Sequence, residues 1–144
     1  MDNLDKIIAP ILKDENLEKA IFYILDGILA GLYLSIGDGK SLKSSFEELK
    51  EEIGKYEIIV KTRDGEYMIN LEKYVEKTGL GYILKQTLKY AWLSNINIEQ
   101  NGYTNLREFI ENNEIYLKKL IIEANKEYEL TKNKIVGFII RSKP

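Results

Sequence analysis

Asn16–Ile36, NLEKAIFYILDGILAGLYLSI, is the longest apolar segment of the chain. Its apolar residues fall on nearly every side of a helix, so the helix must be enclosed by a protein core or by a membrane. Asp26 is the only charge between Ala20 and Ile36. A span of that length is at the short limit for a bilayer, and the central carboxylate would cost about 2.5–3.5 kcal/mol there. The flanking sequence also holds amphipathic helices that need a core to pack against. The reading is a central core helix and no membrane partner. Asp26 is expected at a boundary, capping a backbone group or pairing with a lysine. The competing reading is a buried carboxylate that binds a small ligand or works as an acid or base. Gly27 and Gly31 lie four apart, the small-xxx-small spacing that admits a close helix neighbour.

N-terminal to this helix, Asp14 or Asn16 can accept a hydrogen bond from an early backbone N–H as its cap. Asn3–Lys13 reads as a short helix or an irregular leader, and Pro10 would cost a helix there about 3 kcal/mol. The opening MDNLDKIIAP carries acidic residues where a secretory signal has basic ones, which points to a cytoplasmic protein.

C-terminal to it, Gly37-Asp38-Gly39 supplies a left-handed stop. The string GDGKS resembles the end of a phosphate-binding loop, but Leu34 stands where that loop needs its first glycine. A connection is the better reading. Ser45 and Glu48 form a capping box for a helix over Phe46–Ile53. The apolar period then changes to two. Tyr56–Thr62 and Glu66–Leu71 flank Arg63-Asp64-Gly65, a hairpin signal in which Asp-Gly supplies positive φ. Helical signals resume at Leu71–Lys77, stop at Thr78-Gly79, and restart as Tyr82–Asn95. Asn95–Thr104 reads as a loop in which Ile96 and Ile98 could make a short strand. Asn105 caps an amphipathic helix running to about Glu129, with a Glu114–Lys118 pair on its surface. Lys134–Arg141, KIVGFIIR, reads as a third strand, with a continued helix as the alternative. The fold class is therefore α+β, mainly α-helical: helices around a central apolar helix, a β-hairpin and a third C-terminal strand, in a single domain over 1–144.

Composition narrows the function. The chain has 144 residues, 44% hydrophobic and 31% charged, with net charge −2. It has no cysteine and no histidine. Disulfides, thiolate metal sites, serine–histidine triads and histidine-bearing metal centres are excluded. No cofactor is expected. The carboxylates Glu47, Glu48, Glu51, Glu52, Glu72 and Glu76 could hold a hard cation, but exposed charge runs explain them. Lysine greatly outnumbers arginine, and Ile, Asn and Tyr are frequent, as in proteins of AT-rich genomes and mobile elements.

Ten tyrosines exceed what one small core can hold, and tyrosine favours interfaces. Tyr33, Tyr103 and Tyr116, with Gly27 and Gly31, are the candidates for a protein interface. The leading expectation is a non-catalytic interaction or assembly module, binding another protein or itself. A homodimer through the central helix or through Leu106–Tyr128 would satisfy it. A small accessory or inhibitor protein of a mobile element, acting on a host complex, is a concrete form. Nucleic-acid binding is the second expectation, by two routes. Tyr82, Lys85, Lys89 and Trp92 share one side of a helix and could grip a backbone and stack bases. Alternatively, the order of helices and hairpin fits a winged-helix arrangement, with Lys43, Lys50, Lys55, Lys61 and Arg63 near phosphates.

Overall fold

The apolar stretch folds as α1, Glu15–Ile36, and supplies much of the core: Leu17, Ile21, Ile24, Leu25, Ile28, Leu29 and Leu32 are fully buried. The structure is a computed structural model that describes residues 7–9, 14–36, 47, 50–89, 106–130 and 134–143. The fold is α+β, with helices on one face of an antiparallel sheet, as the two sequence periods require. Among the described residues no helix is long and apolar enough to cross a membrane.

The sheet has the order β1-β3-β2-β4, built from β1 (Ile8–Ala9), β2 (Tyr56–Thr62), β3 (Gly65–Ile69) and β4 (Ile135–Ser142). The hairpin β2–β3 forms as expected, with Ile58 opposite Ile69 and Val60 opposite Tyr67. Arg63 and Asp64 make the turn, and the positive φ falls on Gly65, at 156°. Thr62 fixes this turn: its hydroxyl donates to Gly65 O at 2.8 Å and accepts from Asp64 N at 3.2 Å. The C-terminal run is a strand, not a continued helix, and pairs with β2 from Tyr56↔Ser142 to Thr62↔Ile135. A register shift at Lys61/Thr62 leaves Val136 unmatched, the signature of a β-bulge. Residues 7–9 depart from the helical leader reading. Ile8 and Ala9 pair with Ile69 and Met68, because an apolar stripe beside an open strand edge gains more from backbone pairing than from a helix broken at Pro10.

Two long segments are interrupted. α2, Leu71–Lys89, contains Gly79 at φ 76°, so the stop read at Thr78-Gly79 is a kink between two helical pieces. The helix expected as one piece from Asn105 to Glu129 is divided into α3 (Leu106–Asn112) and α4 (Glu114–Glu127). Asn113, almost fully buried, breaks it, and its Nδ2 donates to Phe109 O at 2.8 Å. A short polar side chain that hydrogen-bonds back to the preceding turn competes with continued helix.

Polar side chains tie the elements together. Asp14 caps α1 by accepting from the N–H groups of Asn16 and Leu17 at 3.0 and 3.1 Å. The Leu17 N–H, above all, holds its carboxyl below the usual range, with Lys134 assisting. Lys134 bridges Asp64 at 3.1 Å and Asp14 at 3.6 Å, joining the hairpin tip to the start of α1. Glu52, only 5% exposed, departs from its reading as part of a solvated charge run. Its Oε2 accepts from Leu106 N at 2.7 Å, so it caps α3 from a distant element, and Lys55 sits 3.3 Å away.

Candidate functional site

Among the described residues, helices pack on one face of the sheet and none packs on the other. Side chains directly opposite in an antiparallel ladder share a face. Ile8, Ile69, Ile58 and Ile140 form one row, and Tyr67, Val60 and Phe138 the next. These belong to, or pack against, the hydrophobic core beneath the helices. Alternate positions point the other way. Met68, Ile59 and Ile139 form a row across β3, β2 and β4, and Met68 and Ile139 are 38% and 41% exposed. Val136, at the bulge, is 52% exposed. Charged pairs flank the apolar row. Arg141 Nε donates to Glu57 Oε1 at 2.6 Å, and Lys61 lies opposite Glu66. An apolar band rimmed by charge is the usual make-up of a contact surface.

β4 also presents a free edge. Lys143 N donates to Lys55 O at 3.0 Å, so alternation along the ladder turns the backbone groups of Ser142, Ile140 and Phe138 outward. Among the described residues no strand pairs with that edge. Only its beginning is closed. The side chain of buried Asn125 in α4 donates to Ile135 O and accepts from Ile135 N, both at 3.0 Å, as a neighbouring strand would.

The residues singled out from sequence fall elsewhere. Gly27 and Gly31 are corrected from an intermolecular interface to internal packing: a Cβ on Gly27 would lie 2.3 Å from Leu120 Cδ2, and one on Gly31 2.6 Å from Phe109 Cζ. Tyr116 is likewise internal, fully buried, with its hydroxyl donating to Gly27 O at 2.6 Å. The close approach permitted by the glycines occurs, but between α1 and the α3–α4 arm of the same chain. The same packing uses most of the apolar stripe of Leu106–Tyr128, while Ile115 and Ile122 on that segment stay exposed. The side chain of Tyr33, and Tyr103 entirely, lie outside the described residues.

Asp26 is 7% exposed, near the middle of α1, where it accepts a hydrogen bond from the Tyr74 hydroxyl. This corrects the boundary reading: the carboxylate is buried, and a tyrosine satisfies it. Phe22 stacks on Tyr74 with ring centroids 5.2 Å apart, which holds the donor in place. Tyr23 and Tyr128, in edge-to-face contact at 6.1 Å, lie on the adjoining side. Burial pushes the Tyr23 hydroxyl up to about 12, and raises Tyr128, to which Glu127 and Asp26 add.

The basic residues do not assemble into a phosphate-binding face within the described residues. Lys50 is exposed but shares a shallow depression with Glu47, Glu51, Glu72 and Glu76. A phosphate approaching it meets four carboxylates. Arg63 sits at the hairpin tip, where Lys134 pairs with Asp64, and β2 is an inner strand of the sheet. Lys85 is exposed on α2. The side chains of Tyr82 and Lys89 lie outside the described residues, as do Lys43, Trp92 and the GDGKS string. Among the described residues no group of three carboxylates is placed to hold a metal ion.

No protein-family model, curated protein or solved structure matches the chain. Sequence reasoning missed the sheet face that carries Met68 and Ile139. The alternation of β4 was visible, but which face the helices would cover was not.

Proposed function

We propose that the chain is a non-catalytic interaction module whose working surface is the side of its sheet on which no described helix packs, binding another protein or a second copy. The observation that carries this reading is the apolar row Met68–Ile59–Ile139 across three strands, in which Met68 and Ile139 are exposed on either side of a buried Ile59, flanked by the Glu57–Arg141 and Lys61–Glu66 pairs. The lack of histidine and cysteine supports it, because the residue types most used for acid–base, nucleophilic and metal chemistry are missing. The buried Asp26–Tyr74 contact fits a structural role, since each group satisfies the other in the core.

The test compares the wild-type chain with a Met68→Lys, Ile139→Lys double variant. Both positions are exposed, so the variant should keep its helical circular dichroism and melting temperature. The expected result is an assembly, with itself or with a co-isolated protein, that light scattering detects for the wild type and not for the variant. Assembly that is indifferent to these substitutions would overturn the reading. So would excess absorbance at 260 nm from bound nucleic acid that the substitutions leave unchanged.

A further inference from the structure

We infer that β4 is a self-association edge: two copies pair antiparallel through β4 across a two-fold axis at Ile139, joining their sheets. The inference rests on the interaction reading above and names its partner. An apolar eight-residue edge strand with outward-facing backbone groups is a template for another strand. Three observations select a second copy and this register.

First, Phe138 and Ile140 point to the core face yet are only half-buried, because the sheet stops at β4. In the register centred on Ile139, Phe138 of each copy lies opposite Ile140 of the other, and their outward N–H and C=O groups pair. Second, the charges fit without like-sign contact across the seam. Arg141, already balanced by Glu57, falls opposite Gly137 of the other copy, where an added Cβ would find nothing within 4 Å. Beyond that glycine the next strand carries Lys61, with Glu66 opposite it on β3. Shifting the seam one way sets Arg141 against Ile139; shifting it the other way sets Arg141 against Ile135, whose outer edge Asn125 already occupies. Third, Ile139 meets Ile139 in a non-hydrogen-bonded pair, the closer of the two antiparallel pair types. The apolar row then continues from one copy's Met68 to the other's.

The strand is about 27 Å long at ~3.4 Å per residue. Such a seam is small beside the ~1,200–2,000 Å² of a stable interface. The dimer is therefore concentration-dependent.

The absence of cysteine from the chain makes cross-linking unambiguous. In an Ile139→Cys variant, with Glu66→Cys on β3 as control, mild oxidation should trap a disulfide dimer at position 139 in large excess over position 66. Adding Gly137→Lys, which sets a cation opposite Arg141 of the other copy at a position where an added Cβ meets nothing within 4 Å, should sharply reduce the trapping while native circular dichroism is kept. Equal trapping at both positions, or none at 139, overturns the edge dimer. Should cross-linking fail while Met68→Lys, Ile139→Lys still abolishes binding of a foreign protein, the edge dimer falls and the interaction reading stands. If neither effect is seen, both fall.

Discussion

Tyr74 and Asp26 are 48 positions apart in sequence, and their contact is what makes a carboxylate tolerable in the middle of α1. Tyr74→Phe removes one donor from the buried carboxylate. It should lower unfolding free energy by about 1–3 kcal/mol, read from urea denaturation. The glycines give a complementary test. Gly27→Ala drives a methyl into Leu120 and Gly31→Ala into the rings of Phe109 and Tyr116, so each should destabilise by about 1–3 kcal/mol, Gly31→Ala more because rings yield less. Gly137→Ala, with open space around it, should be neutral or slightly stabilising. The tyrosines set the response to alkali. Burial raises Tyr23, Tyr116 and Tyr128, with Glu123 and Glu127 adding at Tyr23. Above about 10 the unfolded chain releases these protons while the folded chain keeps them, so stability falls as pH rises. Their contribution is intact below about 10 and is lost progressively as pH climbs through about 12, which urea midpoints across that window would show. At this scale the sequence marked the right residues for incomplete reasons. A lone charge in an apolar helix and a four-residue glycine spacing were visible. Their partners, Tyr74, Leu120 and Phe109, come from distant segments, and no local pattern encodes them.

Element boundaries depend on side chains that borrow backbone partners from other elements. Asn125 is the clearest case, because it completes the start of β4 from α4. Asn125→Ala strips both partners from Ile135 and should cost about 1–3 kcal/mol. Asn125→Asp, which keeps the acceptor but sets a buried carboxylate against the Ile135 carbonyl, should cost at least as much. At the end of α4, Glu129 N donates to Lys126 O and Leu130 N to Asn125 O, with Glu129 at φ 51°. That left-handed position usually takes glycine. Glu129→Gly should therefore raise stability by about 1 kcal/mol, measurable as a shift in melting temperature. The Asp-Gly turn, the stop at Gly79 and the helix cap at Asp14 were all legible, since each depends on residues within a few positions of one another. The division at Asn113 and the pairing of β1 were not. Apolar spacing runs through Asn113 without interruption, and only packing against α1 shows where the helix turns away.

At the scale of the molecule, the described helices pack on one face of the sheet, and Met68 and Ile139 are exposed on the other. The sequence defines both faces of each strand through its alternation, but Ile59 and Ile58 are equally apolar. Strand order resolves the ambiguity, and strand order depends on pairings across the whole chain. β4, last in sequence, lies at an edge beside β2, with its exposed residues aligned on Met68 and Ile59. The expectation of an assembling protein thus stands as a proposal, with the sheet as its proposed surface. Sedimentation velocity of the wild-type chain and of Ile139→Lys, over a wide concentration range, tests this most directly. The account predicts a wild-type mass rising from 16.7 kDa toward twice that value, and a variant that stays at 16.7 kDa with an unchanged fold. A wild-type chain that stays at 16.7 kDa at every concentration, or a variant that self-associates equally, would contradict it.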